Sequence, residues 1–390
     1  MIYSHDTFGL GHFRRCLKLA REFSRQAGDS TTLLMTGSPL AHRFSLPDRA
    51  DYIKLPAVVK TGVDEYAARS LHADIDDIIR LRASLIETAA RQFGPTVLLV
   101  DHAPLGLKGE ILPTLKRLRK RADVTAVLGL RDVIDEPDWI RAQWRHNGTY
   151  EALDALFDRI IVYGHSNIFD TVGEYCLPPS AQYCGYLAGD ADPAAEGATV
   201  DSDARPYVLV TVGGGEDGRH IVDAFLEMLR RHRGDVGFDT VLLPGPLLPA
   251  DAIVEIEQCA QGLPVTVRSF VDNVPALMKK ASCVVSMGGY NAVAELLAYA
   301  QDALIIPRES PRREQLIRAH RLHQMGIVRM LRVSDLTCEN LYRATRGILD
   351  APASALDSAR RDGHVRTDGA KQAVRIVLES AIAIGKGDGQ

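Results

Sequence analysis

The feature that most restricts how this chain can fold is an alternation, run twice, of short apolar segments and longer amphipathic ones. Runs such as Thr96–Val100, Val124–Leu128 and Tyr207–Val212 are rich in β-branched residues and show no polar alternation. That is the pattern of parallel strands covered on both faces. In the first round the expected strands are Ile2–Ser4, Thr31–Met35, Thr96–Val100, Val124–Leu128 and Arg159–Tyr163. The expected helices are Phe13–Arg25, Asp76–Phe93, Ile111–Arg121 and Tyr150–Phe157. The stretch Ala188–Pro206, rich in Ala, Asp, Gly and Pro, reads as a linker. The rhythm then restarts with strand Tyr207–Val212, helix His220–Arg231, and strands Thr240–Leu243, Val265–Val267, Cys283–Val285 and Ala303–Ile306, with helices between them. The fold class is therefore α/β, with two Rossmann-like doubly wound domains facing a cleft. The domains span 1–190 and 200–366, and a helix over 367–384 packs back on the first.

Composition narrows the function classes. The 390 residues are 46% hydrophobic and 25% charged, as in folded soluble proteins. A net charge of -4 gives no global attraction to nucleic acid or anionic lipid, so an anionic ligand must be held by local groups. The six cysteines form no CxxC pair and read as reduced cytosolic thiols. The opening residues lack the basic and apolar regions of a signal peptide, and no apolar run approaches the ~20 residues of a membrane helix.

Two glycine-rich strand-to-helix turns in the second half point to phosphate. In Ser286-Met-Gly-Gly-Tyr-Asn-Ala-Val-Ala-Glu295, Gly288 and Gly289 end a strand, and Asn291 is placed to cap a helix over 292–300. Free N–H groups and the helix dipole at such a turn attract anions. Glu295 stands among apolar residues, where a carboxylate needs hydrogen-bond partners; ribose hydroxyls would serve, and the alternative is a solvent-facing Glu. Gly213, Gly214 and Gly215 likewise follow a strand, with no Gly-Lys-Ser or Gly-Lys-Thr to make an ATPase loop. After another strand, Arg308 and Arg312 could bind phosphate, and Glu314 and Gln315 sugar hydroxyls; the alternative is a solvated charged loop. Asp74-Ile-Asp76 has the form of a metal motif but lies at a helix start, where acidic residues favour the dipole. His320 and His323 lack a third ligand, so no metal is expected.

The first glycine turn, Gly9-Leu-Gly11-His12, opens a helix after the first strand. Arg14 fills the third glycine position of a dinucleotide fingerprint, and the second strand ends without an acidic residue, which argues against a nicotinamide dehydrogenase. His12 beside flexible glycines could act as a general base or bind an anion; it could also merely cap the turn. Asp101 ends the strand Thr96–Val100, so it reaches the same rim and could orient His12. His102 follows it, and His5 and Asp6 could fill either role.

These motifs, in this order, resemble the two-domain glycosyltransferases of GT-B fold. The closest resemblance is to the group that includes the peptidoglycan lipid-linked N-acetylglucosaminyltransferase, in particular a branch known only as predicted glycosyltransferases. The likeness is strongest over Tyr3–Arg15 and from Phe270 to Gly326. It implies that the second domain binds a nucleotide sugar, with Glu295 on ribose and Glu314 and Gln315 on the donor sugar. It also implies that His12 faces the reaction centre, that Gly9, Gly11 and His102 lie on the acceptor side, that uridine is the base, that no metal is required and that the anomeric centre inverts. Arg318 and Ala319 depart from the group's Asn-Ala, and the first glycine loop is shorter, so the group's lipid pyrophosphate acceptor does not carry over. The segment Gly9–Ala20 also resembles the nucleotide-sugar hydrolase of the pseudaminic acid pathway. The expectation is a cytoplasmic transferase, able to contact the inner membrane face peripherally. Its donor is a nucleotide sugar and its acceptor a hydroxyl on a small molecule, glycan or lipid-linked group, with no cofactor and no nucleic acid. Hydrolysis, or a non-catalytic nucleotide-sugar sensor or scaffold, are the alternatives.

Overall fold

Residues with apolar side chains on both strand faces can form only the interior of a layered sheet, and two such sheets are found. The computed structural model describes residues 1–5, 11–62, 65–189, 205–215, 217–271, 273–351 and 355–387. The chain divides into two units, Met1–Leu187 together with the segment from Asp368 onward, and Ala188–Thr367.

The first unit runs β1 (Ile2–Ser4), α1 (Gly11–Gln26), β2 (Thr32–Thr36), β3 (Ala50–Lys54), a hairpin of β4 (Val58–Lys60) and β5 (Tyr66–Ala68), and α2 (Ile75–Phe93). It continues with β6 (Val97–Asp101), α3 (Leu112–Leu118), β7 (Thr125–Arg131), α4 (Pro137–His146), α5 (Thr149–Leu156), β8 (Arg159–Tyr163), α6 (Thr171–Glu174) and β9 (Ala181–Tyr183). Among the described residues the main sheet has seven parallel strands in the order β3-β2-β1-β6-β7-β8-β9. The order reverses between β1 and β6, where Ser4 lies opposite Asp101. Such a switch point opens a crevice beyond the strand ends. The edge strand β3, half exposed and carrying Asp51 and Lys54, lacks the apolar run that marks interior strands, which is why its sequence does not announce it.

Along α1 the expected apolar stripe of Phe13, Cys16, Leu17, Ala20 and Phe23 is buried. Arg15, Lys18 and Glu22 on the polar side are buried as well. The last helix accounts for part of this. The segment from Asp368 rejoins the first unit through a bridge to Leu187, and α1, β7 and β8 all pack against that helix. Gln26 Nε2 donates to Lys371 O at 2.9 Å. That helix spans Gly369–Gly387, three residues past the expected end at 384. The expected linker lies mostly outside the described residues.

In the second unit the order is β10 (Tyr207–Thr211), α7 (Arg219–Arg231), β11 (Asp239–Leu243), α8 (Ala250–Ala260), β12 (Val265–Val267), α9 (Val274–Lys280), β13 (Cys283–Ser286), α10 (Tyr290–Tyr299), β14 (Ala303–Ile305), α11 (Glu314–Gln324), β15 (Arg329–Met330), α12 (Cys338–Asp350) and α13 (Ala355–Arg361); the Gly369–Gly387 helix of the first unit is α14. Its six described strands are parallel, in the order β12-β11-β10-β13-β14-β15. Here the order reverses between β10 and β13, with Thr211 opposite Ser286. Both glycine turns of this unit leave the sheet at this switch point. Val208, Val210, Phe225, Val285 and Leu304 are among the residues of the core beneath.

Candidate active site

At the first switch point, β1 and β6 deliver their ends to the start of α1. His12 is the second residue of α1, and its Nδ1 lies 2.7 Å from Asp101 Oδ2 at the end of β6. Asp101 is fully buried, while the His12 side chain keeps 14% of its surface exposed. Arg15, missed in the sequence, completes the group: its Nε donates to Asp101 Oδ1 at 3.1 Å and its Nη2 to Oδ2 at 2.8 Å. The signal was an arginine one turn after His12 on a helix that needs both faces covered.

Burial works against ionising Asp101, but the Arg15 guanidinium and the His12 contact outweigh it and bring the carboxyl down to about 2. At neutral pH it is therefore a carboxylate, which favours a proton on the nitrogen 2.7 Å away, while the donor Arg15 Nη2 lies 2.9 Å from that same nitrogen. The shorter contact, to a full negative charge, favours the His12 tautomer with Nδ1–H donating to Asp101, in which Nε2 is the basic nitrogen. Burial and then the Arg15 charge hold His12 below the ordinary histidine range, while Asp101 opposes them. The imidazole is thus neutral and competent to accept a proton.

His5 and His102 flank the dyad, with ring centroids 5.5 and 5.4 Å from that of His12. His102 adopts a left-handed backbone conformation with φ 68°, and its Nε2 lies 2.8 Å from Arg131 Nη2. Burial, followed by the Arg131 charge, pushes its pKa well below the ordinary range. Gly11 is the first residue of α1; Gly9 and Asp6 lie outside the described residues.

In the second unit Gly213 and Gly215 take φ of 69° and 98°, which only glycine adopts without strain. A Cβ on Gly215 would stand 2.5 Å from Pro244 O, and Gly214 O accepts from Leu247 N at 3.0 Å. The turn is therefore packed backbone to backbone on the loop after β11. At the other turn Gly288 has φ 86°, and a Cβ there would meet the Ile305 side chain at 2.9 Å. The expected cap is corrected: Gly289, not Asn291, is the N-cap of α10, the helix begins at Tyr290, and Asn291 is its second residue. Gly289 makes no side-chain cap, and the chain enters helical geometry two residues sooner than expected. Glu295 lies on the same helix and is 2% exposed, so the solvent-facing alternative is excluded.

Glu314 and Gln315 open α11 and are both buried. Gln315 Oε1 accepts from Arg308 N at 3.1 Å. Arg308 does not present an open cation for phosphate: its guanidinium donates to Asp217 at 2.7 Å and to Glu314 at 2.6 Å. It ties the loop after β14 to the loop after β10. Arg318 is fully buried and donates to Gly288 O at 3.1 Å, holding the glycine turn. Asp74 caps α2 by accepting from Asp76 N at 2.8 Å, and Asp76 faces Lys108. His320 is exposed, and His323 Nδ1 contacts Val328 O. Among the described residues no cluster of three or more His, Cys, Asp or Glu is arranged to hold a metal, and no helix is long and apolar enough to cross a membrane.

Two doubly wound units, each with a switch point in its parallel sheet, match the GT-B fold, and solved structures agree. The chain superposes on the glycosyltransferase of kitacinnamycin with a TM-score of 0.66 at 16% identity, covering 97% of this chain and 98% of that one. On Acinetobacter baumannii MurG the TM-score is 0.61 at 11% identity, with 97% and 99% covered. Residues 208–373 match the glycosyltransferase family 28 C-terminal domain. Over 144 residues the chain is 29% identical to UDP-N-acetylglucosamine--N-acetylmuramyl-(pentapeptide) pyrophosphoryl-undecaprenol N-acetylglucosamine transferase 1 of Bacillus cereus, which is 36% of this chain and 39% of the relative. It is 31% identical over 151 residues to the corresponding transferase of Bacillus cytotoxicus, 37% and 40% of the two chains. The chain thus spans about two fifths of the length of these curated relatives. In sum, this is a GT-B-fold chain whose second unit resembles the family 28 glycosyltransferases.

Proposed function

We propose that the protein is a glycosyltransferase that moves a sugar from a nucleoside diphosphate donor to an acceptor hydroxyl. The observation that carries this reading is the buried Asp101 carboxylate 2.7 Å from the Nδ1 of a neutral, partly exposed His12 at the switch point of the first sheet. His12 Nε2 takes the proton from the acceptor hydroxyl, whose oxygen attacks the anomeric carbon as the bond to the leaving diphosphate breaks. One displacement of this kind inverts the anomeric centre. The diphosphate lies on the Gly213–Gly215 and Gly288–Gly289 turns, with the N-terminus of α10 stabilising its charge without a metal. Glu295 takes the ribose, and Glu314 and Gln315 the donor sugar. The match to the family 28 domain supports a nucleotide-sugar donor, and the names of the curated relatives support uridine diphosphate; the acceptor is a hydroxyl on a small molecule, glycan or lipid-linked group.

A thermal-shift panel of nucleoside diphosphates and their sugars tests the donor. A ligand at 100 times its Kd should stabilise by about 2.7 kcal/mol, and a panel with no hit would sink the reading. His12→Ala should lower turnover by about 10²–10⁴ with nucleotide affinity unchanged. Retention of full activity would remove His12 from the chemistry. Rapid diphosphate release in water alone would make the enzyme a hydrolase.

A further inference from the structure

Arg15 is 1% exposed, on a helix where it could have been an apolar residue. It meets Asp101 as a fork, one nitrogen to each carboxylate oxygen, the arrangement that fixes a carboxylate in rotation as well as position. The oxygen it shares, Oδ2, is the one that takes His12 Nδ1. His12 and Arg15 lie three residues apart on one face of α1, and Arg15 Nη2 is 2.9 Å from His12 Nδ1. Arg15 Nη2 can only donate, so with the Nδ1 proton turned to Asp101 both nitrogens converge on Oδ2, and in the other tautomer Nη2 would donate to Nδ1. Protonating His12 would set a second cation against the first.

We infer that Arg15 is a positioning residue for the base: it locks Asp101 so that the carboxylate holds the Nδ1–H tautomer of His12, and its charge keeps that imidazole neutral. A carboxylate alone would fix the tautomer but would also favour the imidazolium, which cannot accept a proton. The guanidinium offsets that second effect while reinforcing the first. The other titratable or charged groups facing His12 among the described residues are His5 at the end of β1, His102 after β6 and Arg131 at the end of β7. Arg131 lies on His102, and Arg15 contacts the His12 ring directly.

The inference rests on the reading of His12 as the base, and its test is made without substrate. In the full-length protein labelled with 15N at histidine, His12 is assigned by the signal lost in His12→Gln. Its wild-type midpoint should fall below ~6.5, with Nδ1 protonated in the neutral form. Arg15→Gln should move the midpoint upward. Arg15→Lys, which keeps the charge but not the fork, should leave it low while the tautomers become mixed, and should lower kcat more than it raises KM for the donor. A folded Arg15→Gln protein with unchanged midpoint and tautomer would overturn the inference. If that variant fails to fold, a wild-type midpoint at or above ~6.5 does the same. A fully active His12→Ala enzyme would instead defeat the assignment of the base, and turnover would report it separately.

Discussion

Replacing Asp101 with Asn exchanges one oxygen for an amide and leaves the volume of the side chain almost unchanged. The carboxylate receives two contacts from Arg15 and one from His12. The amide retains a single acceptor oxygen, so at least one donor loses its partner, and a guanidinium that is 1% exposed loses its counter-charge. Removing one member of a buried pair destabilises by about 3–5 kcal/mol. The displacement of Asp101 from 3.8 to about 2 corresponds to roughly 2–3 kcal/mol in favour of the ionised form. Charge therefore makes up about half or more of the expected loss. For a unit of this size each kcal/mol moves the unfolding midpoint by about 2–4 °C, so the fall should be about 6–20 °C. The assay is selective, because the chain has 2 tryptophans, Trp139 and Trp144, and both lie in the first unit. Their fluorescence reports that unit's unfolding without interference from the other. Turnover should fall as well, by up to about 10²–10⁴, because the tautomer is no longer fixed. Nucleotide affinity should not change, since the proposed donor groups belong to the second unit. A midpoint within ~2 °C of wild type together with undiminished turnover would refute the reasoning that Asp101 is both counter-ion and orienting group.

The same fluorescence should reveal a pH dependence with a definite sign. His12 and His102 are depressed in the folded state, so the unfolded chain binds more protons as pH falls through the ordinary histidine range near ~6.5, and the first unit should lose stability there. Asp101 contributes in a separate window: its stabilisation is fully present above the unfolded carboxylate range and disappears as pH falls through about 2. His12→Gln should flatten the first slope, and an unchanged slope would contradict the burial argument. In the second unit, Gly215→Ala should destabilise by about 2–5 kcal/mol, because φ 98° and Pro244 O at 2.5 Å both oppose a Cβ. Gly213→Ala, where nothing lies within 4 Å, should cost only the ~1–2 kcal/mol of a left-handed residue; equal losses in urea unfolding would disprove the close packing. Arg308→Ala strips Glu314 and Asp217 of their cation and should weaken binding of a uridine diphosphate sugar by about 10–100-fold while sparing uridine diphosphate, measured by calorimetry. Equal weakening of both ligands would place Arg308 at the diphosphate instead.

Much of the fold was legible because its signals are local. Strands buried on both faces read as unbroken apolar runs, and glycines at positive φ mark the turns that follow them. What was not legible involved exceptions to those signals. β3 is half exposed and β15 only two residues long, so neither carries an apolar run. The cap of α10 fell on Gly289, whose extended φ/ψ is that of an N-cap residue, so the helix begins before Asn291 could cap it. Arg308 looked like a phosphate ligand from its charge alone; only the fold brought Asp217, 91 residues away, to its guanidinium.

By itself the sequence determined the α/β class, the repeated strand–turn–helix units, the glycine turns and the position of His12 at the start of a helix. These follow from side-chain periodicity and from the conformations that glycine permits, which act over a few residues. Tertiary structure decided which strands are neighbours. β1 and β6 are alike in composition to several others, and nothing local specifies that Ser4 should stand opposite Asp101. That pairing carries Asp101 across 89 residues to His12. It also encloses Arg15 until burial turns an ordinary helix-surface arginine into a clamp, since the same contacts are weak in water and strong where water is excluded.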